Sequence, residues 1–329
     1  MMPQLTKPKL KGFVTPQKIR YHAEILGNRI RNRFRHLSKR FKRQGIECFR
    51  LYDRDMPEVR AVVDWYAGHV VIGEYERRQT GPEYLPQMAK AVAAALNIPL
   101  NQVHIKRRHT KTKEGPRYKK FSSQGKRFEV RERNLRFWVN LDDFLDTGLF
   151  SDHRETRVLV EKLAAGKDFL NLFAYTGAFT CAAAAGGAKS TVTVDRSEDY
   201  LNWARDNLRL NRLWGPQHIL VKSDAAQYLA QAYREGRQFT LAFVDPPSFF
   251  QDKNKGVSFD INRDHLNLIR SVLKVMAPES ILFFSTNHQR FEPRLNDLSV
   301  KDLSELTPGT IPEDYRNCRI HRCWQMTTM

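Results

Sequence analysis

The stretch from Phe169 to Asp195, FLNLFAYTGAFTCAAAAGGAKSTVTVD, decides the fold class that we expect for this 329-residue chain. An apolar strand pattern over residues 169–173 is followed by an alanine-rich helix pattern over 178–185. A second strand pattern, rich in β-branched residues, covers 190–194. A strand, a helix and a strand in one short run form a βαβ unit, whose two strands lie parallel in one sheet.

The same alternation continues on both sides of this unit. We expect further helices at 152–164, 199–211, 225–235 and 264–276, and further strands at 218–222, 241–244 and 281–285. Repeated alternation of this kind predicts an α/β fold with a mostly parallel, doubly wound sheet that helices cover on both faces. We assign this domain to residues 146–329.

The first 145 residues follow a different pattern. Thr15-Pro16 offers a capping side chain and a proline for the first helical turn, so we expect a basic N-terminal helix within 1–45, between Thr15 and Gly45. Residues 46–145 predict a smaller α+β domain that binds RNA. Its expected parts are strand segments at 48–52, 59–66 and 69–75, a helix at 84–96, a basic loop at 105–127 and a hairpin at 128–141.

Positive charge is concentrated in two stretches of the chain, whose formal net charge is +19. Residues 1–44 hold 13 Lys and Arg against one acid, and residues 106–127 hold 10 against one acid. Two such clusters on an otherwise balanced chain favour a nucleic acid partner over acidic lipid, because neither cluster has a clean apolar stripe. We expect the phosphate contacts to come from Arg31, Arg35, Lys39, Arg107, Arg108, Lys111, Lys113, Arg117, Lys119 and Lys120.

The chain has no run of eighteen apolar residues and no apolar segment near its amino terminus. Four cysteines fit a reducing compartment better than a disulfide framework, so we predict a cytoplasmic protein without a membrane partner. Cys318 and Cys323 flank His321, but three closely spaced ligands without a second cluster make a poor zinc site. We therefore predict no metal.

Three consecutive predicted strands are followed by a carboxylate. Asp195, Asp224 and Asp245 come directly or almost directly after the segments 190–194, 218–222 and 241–244. Any one of them could cap the next helix, with a contribution of about 1 kcal/mol. Ligands of open α/β sheets bind outside the carboxyl ends of the strands, so the set of three indicates a binding site.

The residue types at these strand ends favour one cofactor. A single glycine, Gly177, lets the backbone approach a ligand after the first strand, and the full G-x-G-x-x-G of a dinucleotide site is absent. Asp195 can accept both hydroxyls of a ribose, and Asp224 can accept the amine of an adenine. A ribose and an adenine without a pyrophosphate predict S-adenosylmethionine, with S-adenosylhomocysteine as the product.

Four motifs resemble those of a known family: DTGLFSDHR at 146–154, NLFAYTGAFT at 171–180, VDRS at 194–197 and DPPSF at 245–249. They look like the class I, Rossmann-like S-adenosylmethionine-dependent methyltransferases, and most like the large-subunit ribosomal RNA methyltransferases of the RlmI/RlmKL group. Residues 46–329 are similar to the carboxyl-terminal half of the bifunctional member, which methylates N7 of a guanine in 23S rRNA. The resemblance implies that the cofactor is bound by Phe150, Asn171, Phe173, Tyr175, Thr176, Gly177, Asp195, Ser197, Asp224, Ala225 and Asp245.

The resemblance also implies the partners. We expect 23S rRNA or a large-subunit assembly intermediate as the substrate. The amino-terminal half of the bifunctional member has no counterpart in this sequence, so a separate protein with a THUMP domain and guanine-N2 methyltransferase activity is a further expected partner.

The absence of a cysteine in one segment indicates which base accepts the methyl group. Formation of 5-methylcytosine requires a thiolate, which relatives place after the fifth strand, and the segment 281–290 contains no cysteine. Guanine N7 carries a lone pair and no proton, so its methylation requires positioning rather than a nucleophile or base. We expect Asp245 to bind the methionine end of the cofactor or a guanine N–H edge, Pro246 to turn the backbone toward the base, and Phe249 or Phe250 to stack on it.

Two alternatives remain open from the sequence. The chain could make 5-methylcytosine or another modified base in RNA, or it could be a non-catalytic rRNA-binding assembly factor with a degenerate site.

Overall fold

The computed structural model describes residues 14–75, 80–108, 125–252 and 257–329. The chain divides into two compact units, Met1–Gly125 with Leu141–Leu145, and Lys126–Asn140 with Asp146–Met329. The N-terminal helix and most of the expected α+β domain fall together in the first unit, and the hairpin near residue 130 falls in the second. The functional division at residues 46 and 146 stays a prediction.

The first unit is a four-stranded sheet with two helices. Its elements are α1 (Pro16–Arg43), β1 (Cys48–Asp53), β2 (Ala61–Tyr66), β3 (His69–Tyr75), α2 (Tyr84–Leu96) and β4 (Val103–Arg108). Thr15 begins α1 by accepting a hydrogen bond from the Lys18 N–H, as expected for a capping residue. Leu26, Ile30 and Leu37 lie on the inner face of α1 and are fully buried in this unit's core.

The prediction of a loop that begins at residue 105 is wrong for its first four residues. They belong to β4, which pairs in parallel with β3 from Val70 and Val103 to Tyr75 and Arg108. Ile105 is 43% exposed and its neighbours are basic, so the segment lacks the apolar alternation by which strands are recognised. The strand is defined by this backbone pairing, and its Lys106 side chain is buried and donates to the carbonyl groups of Phe144 and Leu145.

The second unit contains the predicted alternation of helices and strands. Its elements are β5 (Phe128–Glu132), β6 (Leu135–Val139), α3 (Arg154–Leu163), β7 (Asp168–Leu172), α4 (Ala178–Ala185), β8 (Ser190–Asp195), α5 (Glu198–Leu210), β9 (His218–Lys222), α6 (Ala225–Arg234), β10 (Phe239–Val244), β11 (Phe249–Asp252), β12 (Val257–Asp260), α7 (Ile261–Leu273), β13 (Met276–Thr286), β14 (Asp302–Glu305), α8 (Thr307–Thr310) and β15 (Arg322–Thr327).

Seven of these strands form one sheet in the order β14-β15-β13-β10-β7-β8-β9. The five strands from β13 to β9 run parallel, and β15 and β14 join antiparallel at one edge. The α/β class with a mostly parallel sheet is confirmed. The strand order reverses between β7 and β10, which is where a ligand crevice opens in such sheets.

Side chains of the central strands alternate between two helix-covered faces. On β10, Ala242 and Val244 pack into one core, whereas Leu241 and Phe243 pack into the other. Burial on both faces explains the continuous apolar run before Asp245. The strand ends that carry the predicted site are therefore held in position by packing on both faces of the sheet.

Two differences lie after Asp245. The hairpin of β11 and β12 was not predicted, and α7 begins at Ile261 rather than at residue 264. The Asp260 side chain accepts from the N–H groups of Asn262 and Arg263, which starts the helix three residues earlier than its apolar pattern indicates.

Candidate active site

The three predicted acids lie at the carboxyl ends of neighbouring or nearby strands in the large sheet. Asp195 ends β8, Asp224 follows β9, and Asp245 follows β10. β7, whose closing loop carries Phe173 and Tyr175, lies between β8 and β10. Parallel strands end at one edge, so this arrangement can surround a single ligand.

Asp195 is a buried carboxylate that organises two loops. Its Oδ2 accepts from the Tyr175 N–H at 2.9 Å, and its Oδ1 accepts from the Ser197 N–H at 2.9 Å. Burial raises the pKa of Asp195, and the backbone donors oppose that rise by stabilising the charged form. Each carboxylate oxygen has a second lone pair, so Asp195 can still accept hydroxyl groups of a ligand.

The loop after β7 has an unusual backbone. Phe173 and Tyr175 have φ angles of 57° and 51°, in the left-handed region that bulky residues rarely occupy. Asn207 donates to the Thr176 carbonyl at 2.9 Å and holds the loop against α5. Strain of this kind is typical of ligand sites, where the surrounding contacts sustain it.

Gly177 is required for packing as well as for conformation. Its φ is +71°, and a Cβ at this position would lie 2.6 Å from the Ala204 Cβ of α5. The absence of a side chain therefore lets the loop approach a helix, in addition to the approach to a ligand that the sequence suggested.

The segment 147–150 is bonded to the same loop. The Gly148 N–H donates to the Tyr175 hydroxyl at 2.9 Å, and the Thr176 hydroxyl donates to the Gly148 carbonyl at 2.6 Å. Phe150 is 42% exposed, and its ring centroid lies 5.1 Å from that of Tyr175. Two aromatic side chains thus form an apolar surface beside the strand ends.

The buried ion pair of Arg157 and Glu132 holds the backbone of Phe150. Arg157 makes two hydrogen bonds to Glu132 at 2.7 and 2.8 Å and a third to the Phe150 carbonyl at 2.9 Å. Because both charged side chains are buried, loss of Glu132 would leave Arg157 without its carboxylate partner in the interior. The pair therefore ties the segment 147–150 to the β5–β6 hairpin.

Other predicted cofactor residues have structural roles in this fold. Asn171 is 1% exposed and donates to the Thr180 hydroxyl inside the core, so its position gives the predicted cofactor role no support. Ser197 caps α5, and Asp224 caps α6 through Oδ1, immediately before the buried Ala225. Both capping bonds of Asp224 use the same oxygen, so Oδ2 can accept from a ligand.

Asp245 begins the segment that should face the base. Its side chain is 30% exposed, and Pro246 behind it is buried. Phe249 is 54% exposed, whereas the Phe250 ring lies under the Arg196 guanidinium at 4.4 Å from the ring centroid. The two phenylalanines are therefore distinct: one ring is open and the other already has a cationic partner.

Next to Asp245 lie two histidines for which the sequence predicted no role. Nε2 of His153 is 3.7 Å from Oδ2 of Asp245 and 3.8 Å from Oδ2 of Asp152. His153 lies in the DTGLFSDHR motif, but nothing in the sequence indicates which residues it contacts in the fold. His321, at the far end of the chain, lies parallel to His153 at 4.1 Å between ring centroids.

Asp152, His153 and His321 place possible metal-ligand atoms within 4.8 Å of one another. The two imidazole rings are stacked with an angle of 16° between their planes. Nitrogen lone pairs lie in the ring planes, so those of stacked rings point side by side and do not converge on one ion. This geometry does not fit a shared metal ion.

Two cysteine thiols near the sheet are unreactive by position. Cys181 and Cys323 are completely buried, and burial raises the pKa of both thiols. The negative charge of Asp245 raises the pKa of Cys323 further. Neither thiol is poised as the thiolate that attack on a cytosine would need, and Cys318 is exposed.

The basic residues predicted to bind phosphate are described only in part. Arg31, Arg35 and Lys39 are exposed and recur every four residues, so they share one face of α1. The backbones of Arg107 and Arg108 lie on β4. The remaining five predicted contacts, Lys111, Lys113, Arg117, Lys119 and Lys120, lie outside the described residues.

Comparison with known proteins identifies a family. Residues 50–302 match the model of the S-adenosylmethionine-dependent methyltransferases. The chain is 44% identical over 309 residues to the Neisseria meningitidis protein named ribosomal RNA large subunit methyltransferase K, covering 91% of this chain and 86% of that relative. It is 42% identical over 311 residues to the Syntrophotalea carbinolica protein named ribosomal RNA large subunit methyltransferase K/L, covering 93% of this chain but 43% of that relative.

A solved structure shares the fold. The crystal structure of SMU.776 complexed with SAH matches 94% of this chain and 82% of its own, with a TM-score of 0.74 and 23% sequence identity. Within the ranges that the structure describes, no helix is long and apolar enough to cross a membrane.

Proposed function

The chain belongs to the S-adenosylmethionine-dependent methyltransferases, and we propose that it transfers the methyl group of S-adenosylmethionine to N7 of a guanine in 23S ribosomal RNA. One observation supports the choice of base above the others. Asp245 follows β10 and is followed four residues later by the open ring of Phe249, while the thiols of Cys181 and Cys323 are buried and their pKa values are raised.

Ribosomal RNA is the substrate that the relatives suggest. Both curated relatives carry names for methylation of the large-subunit RNA. The exposed stripe of Arg31, Arg35 and Lys39 on α1 supplies positive charge for a phosphate backbone. The substrate is either the free RNA or a large-subunit assembly intermediate, and a separate THUMP-containing guanine-N2 methyltransferase is a further proposed partner.

The described residues fit the cofactor. Asp195 would accept the ribose hydroxyls, and Oδ2 of Asp224 would accept the adenine amine beside the first turn of α6. Phe150 and Tyr175 would cover an apolar face of the cofactor. Bound S-adenosylmethionine supplies an electrophilic methyl group on a sulfonium sulfur.

The chemistry at guanine N7 fits a site without a nucleophile. The N7 lone pair forms the new N–C bond, the C–S bonding pair stays on sulfur, and no proton leaves the base. Positive charge therefore passes to the guanine, and the Asp245 carboxylate would stabilise it there. The residues of the chain have to hold the base in line with the methyl group and exclude water.

Phe249 is the better platform for that base. It is 54% exposed, whereas Phe250 is already covered by Arg196. A base flipped out of its stack gains about 1–3 kcal/mol from an aromatic ring. We therefore assign the stacking contact to Phe249 and a supporting contact within the hairpin to Phe250.

Transfer of a radioactive methyl group tests this function. The purified protein, labelled S-adenosylmethionine and 23S rRNA from cells that lack the protein should give labelled RNA, and 16S rRNA should stay unlabelled. Asp245→Ala should lose most of the transfer while still binding the cofactor. A wild-type protein that shows no heat of binding with S-adenosylmethionine would instead favour a non-catalytic rRNA-binding protein.

A further inference from the structure

His153 is a buried histidine held in place by rings on three sides. It is 4% exposed and lies parallel to His321 at 4.1 Å between centroids. The rings of Phe179 and Phe243 meet it edge-on at 5.6 and 5.9 Å. Phe243 belongs to β10, the strand that Asp245 follows, and Nε2 of the imidazole lies 3.7 Å from that carboxylate.

We assign the proton of this imidazole to Nε2. That nitrogen lies 3.7 Å from the Asp245 carboxylate and 3.8 Å from that of Asp152, and carboxylates only accept hydrogen bonds. Nδ1 is buried, and no described residue offers it a hydrogen-bond partner. Burial, reinforced by His321, lowers the pKa of His153 well below its usual value, so the ring carries one proton and no charge.

The Asp152 carboxylate also faces a second imidazole. Its Oδ2 lies 3.1 Å from Nδ1 of His321, whose Nε2 lies 3.1 Å from the Thr310 hydroxyl. His321 is thus fixed through both nitrogens and completely buried. Oδ2 of Asp245 is also the carboxylate oxygen nearest to Nε2 of His153, so Asp245 is the acceptor that we assign to the His153 N–H.

We propose that His153 is a positioning residue that donates Nε2–H to the Asp245 carboxylate and so fixes its direction for methyl transfer. The inference rests on the proposed function of Asp245. Hydrogen bonds of this kind are often long without substrate and shorten in the loaded enzyme, which is consistent with a separation of 3.7 Å.

A neutral donor suits the charge that develops in the reaction. A lysine or arginine at this place would orient the carboxylate but cancel its charge. His153 orients Asp245 and leaves its full negative charge facing a base that becomes cationic. Asp152 and His321 behind it keep the ring from turning.

Two substitutions separate hydrogen bonding from packing. His153→Gln keeps an N–H donor near the position of Nε2, and His153→Phe keeps the ring stacking without a donor. We expect His153→Phe to lower kcat by about 10–100-fold, with little change in KM for S-adenosylmethionine, and His153→Gln to retain most of the wild-type kcat. A kcat for His153→Phe equal to or above that of His153→Gln would overturn the proposal.

Nitrogen NMR of the unaltered protein provides a second test that does not depend on folding of a variant. With 15N-labelled histidine, we expect the His153 resonances of the neutral Nε2–H form, and a shift of Nε2 when S-adenosylhomocysteine is added. A proton on Nδ1 would overturn the proposal. If the wild-type protein transfers no methyl group, the proposed function fails; if it transfers and the two variants behave alike, only the role of His153 fails.

Discussion

The backbone N–H of Tyr175 donates to Oδ2 of Asp195 at 2.9 Å and ties the loop after β7 to the end of β8. The other oxygen of the same carboxylate accepts a hydrogen bond from the N–H of Ser197, the residue that caps α5. One buried side chain thus sets two loops around the proposed ribose site.

Replacing Asp195 should therefore weaken cofactor binding. In Asp195→Asn one oxygen becomes an NH2 group that cannot accept, which leaves a buried N–H unpaired at a cost of about 1–3 kcal/mol. We expect the affinity for S-adenosylmethionine, measured by calorimetry, to fall at least about tenfold. Asp206→Asn, which removes the surface ion pair with Arg127, is the matched control. Equal affinity in the two variants would exclude this role of Asp195.

Gly177→Ala should destabilise the fold more than an alanine at a comparable glycine. Gly177 and Gly166 have φ angles of +71° and +69°, but only at Gly177 would the new Cβ meet a neighbour, the Ala204 Cβ at 2.6 Å. Both variants carry the backbone penalty, and the clash should add about 1–3 kcal/mol to the loss at Gly177. Urea unfolding of both variants measures the difference, and equal losses would contradict the packing that we describe.

Thiol reactivity should distinguish one cysteine from the other three. Cys318 is exposed, and Cys48, Cys181 and Cys323 are buried. Burial raises the pKa of Cys181 and Cys323, so little thiolate is present near neutral pH. We expect an aromatic disulfide reagent to modify one thiol rapidly in the native protein and all four after denaturation. Rapid native modification of Cys181 or Cys323 would reopen the 5-methylcytosine alternative.

The stripe on α1 should account for part of the salt dependence of RNA binding. Replacing Arg31, Arg35 and Lys39 by glutamine should lower the affinity for rRNA. The slope of log K against log salt should become shallower by about 0.7–0.9 for each phosphate that these side chains neutralise. A control with the same change in charge replaces Lys189, Lys222 and Lys301, which pair with Asp168, Glu198 and Glu279. If both triple variants show the wild-type slope, the stripe does not bind phosphate.

The sequence predicted those parts of the fold that have a strong pattern. The apolar runs before Asp195 and Asp245 are strands buried on both faces, and the acids that follow them lie at one edge of the sheet. By contrast, β4 is held by backbone pairing and by the buried Lys106, whose ammonium donates to two backbone carbonyls, and no apolar pattern indicates either feature. The β11–β12 hairpin, with Phe250 under Arg196, depends on a contact between distant segments and has no periodic signal.

For the candidate site, the sequence predicted the positions of several residues but not the direction of their side chains. Motifs located Asp195, Asp224 and Asp245, but a motif does not show which way a side chain faces. Asn171 belongs to the resemblance motif and yet points into the core toward Thr180. The proximity of His153 to Asp245 arises only when α3 packs against the sheet.

Mass spectrometry of the modified nucleoside tests the central claim most directly. The purified protein is incubated with 23S rRNA and S-adenosylmethionine that carries a deuterated methyl group, and the RNA is digested to nucleosides. We expect the label in 7-methylguanosine, and its loss in Asp245→Ala. Label in 5-methylcytidine or in N2-methylguanosine, with none in 7-methylguanosine, would contradict the proposed reaction.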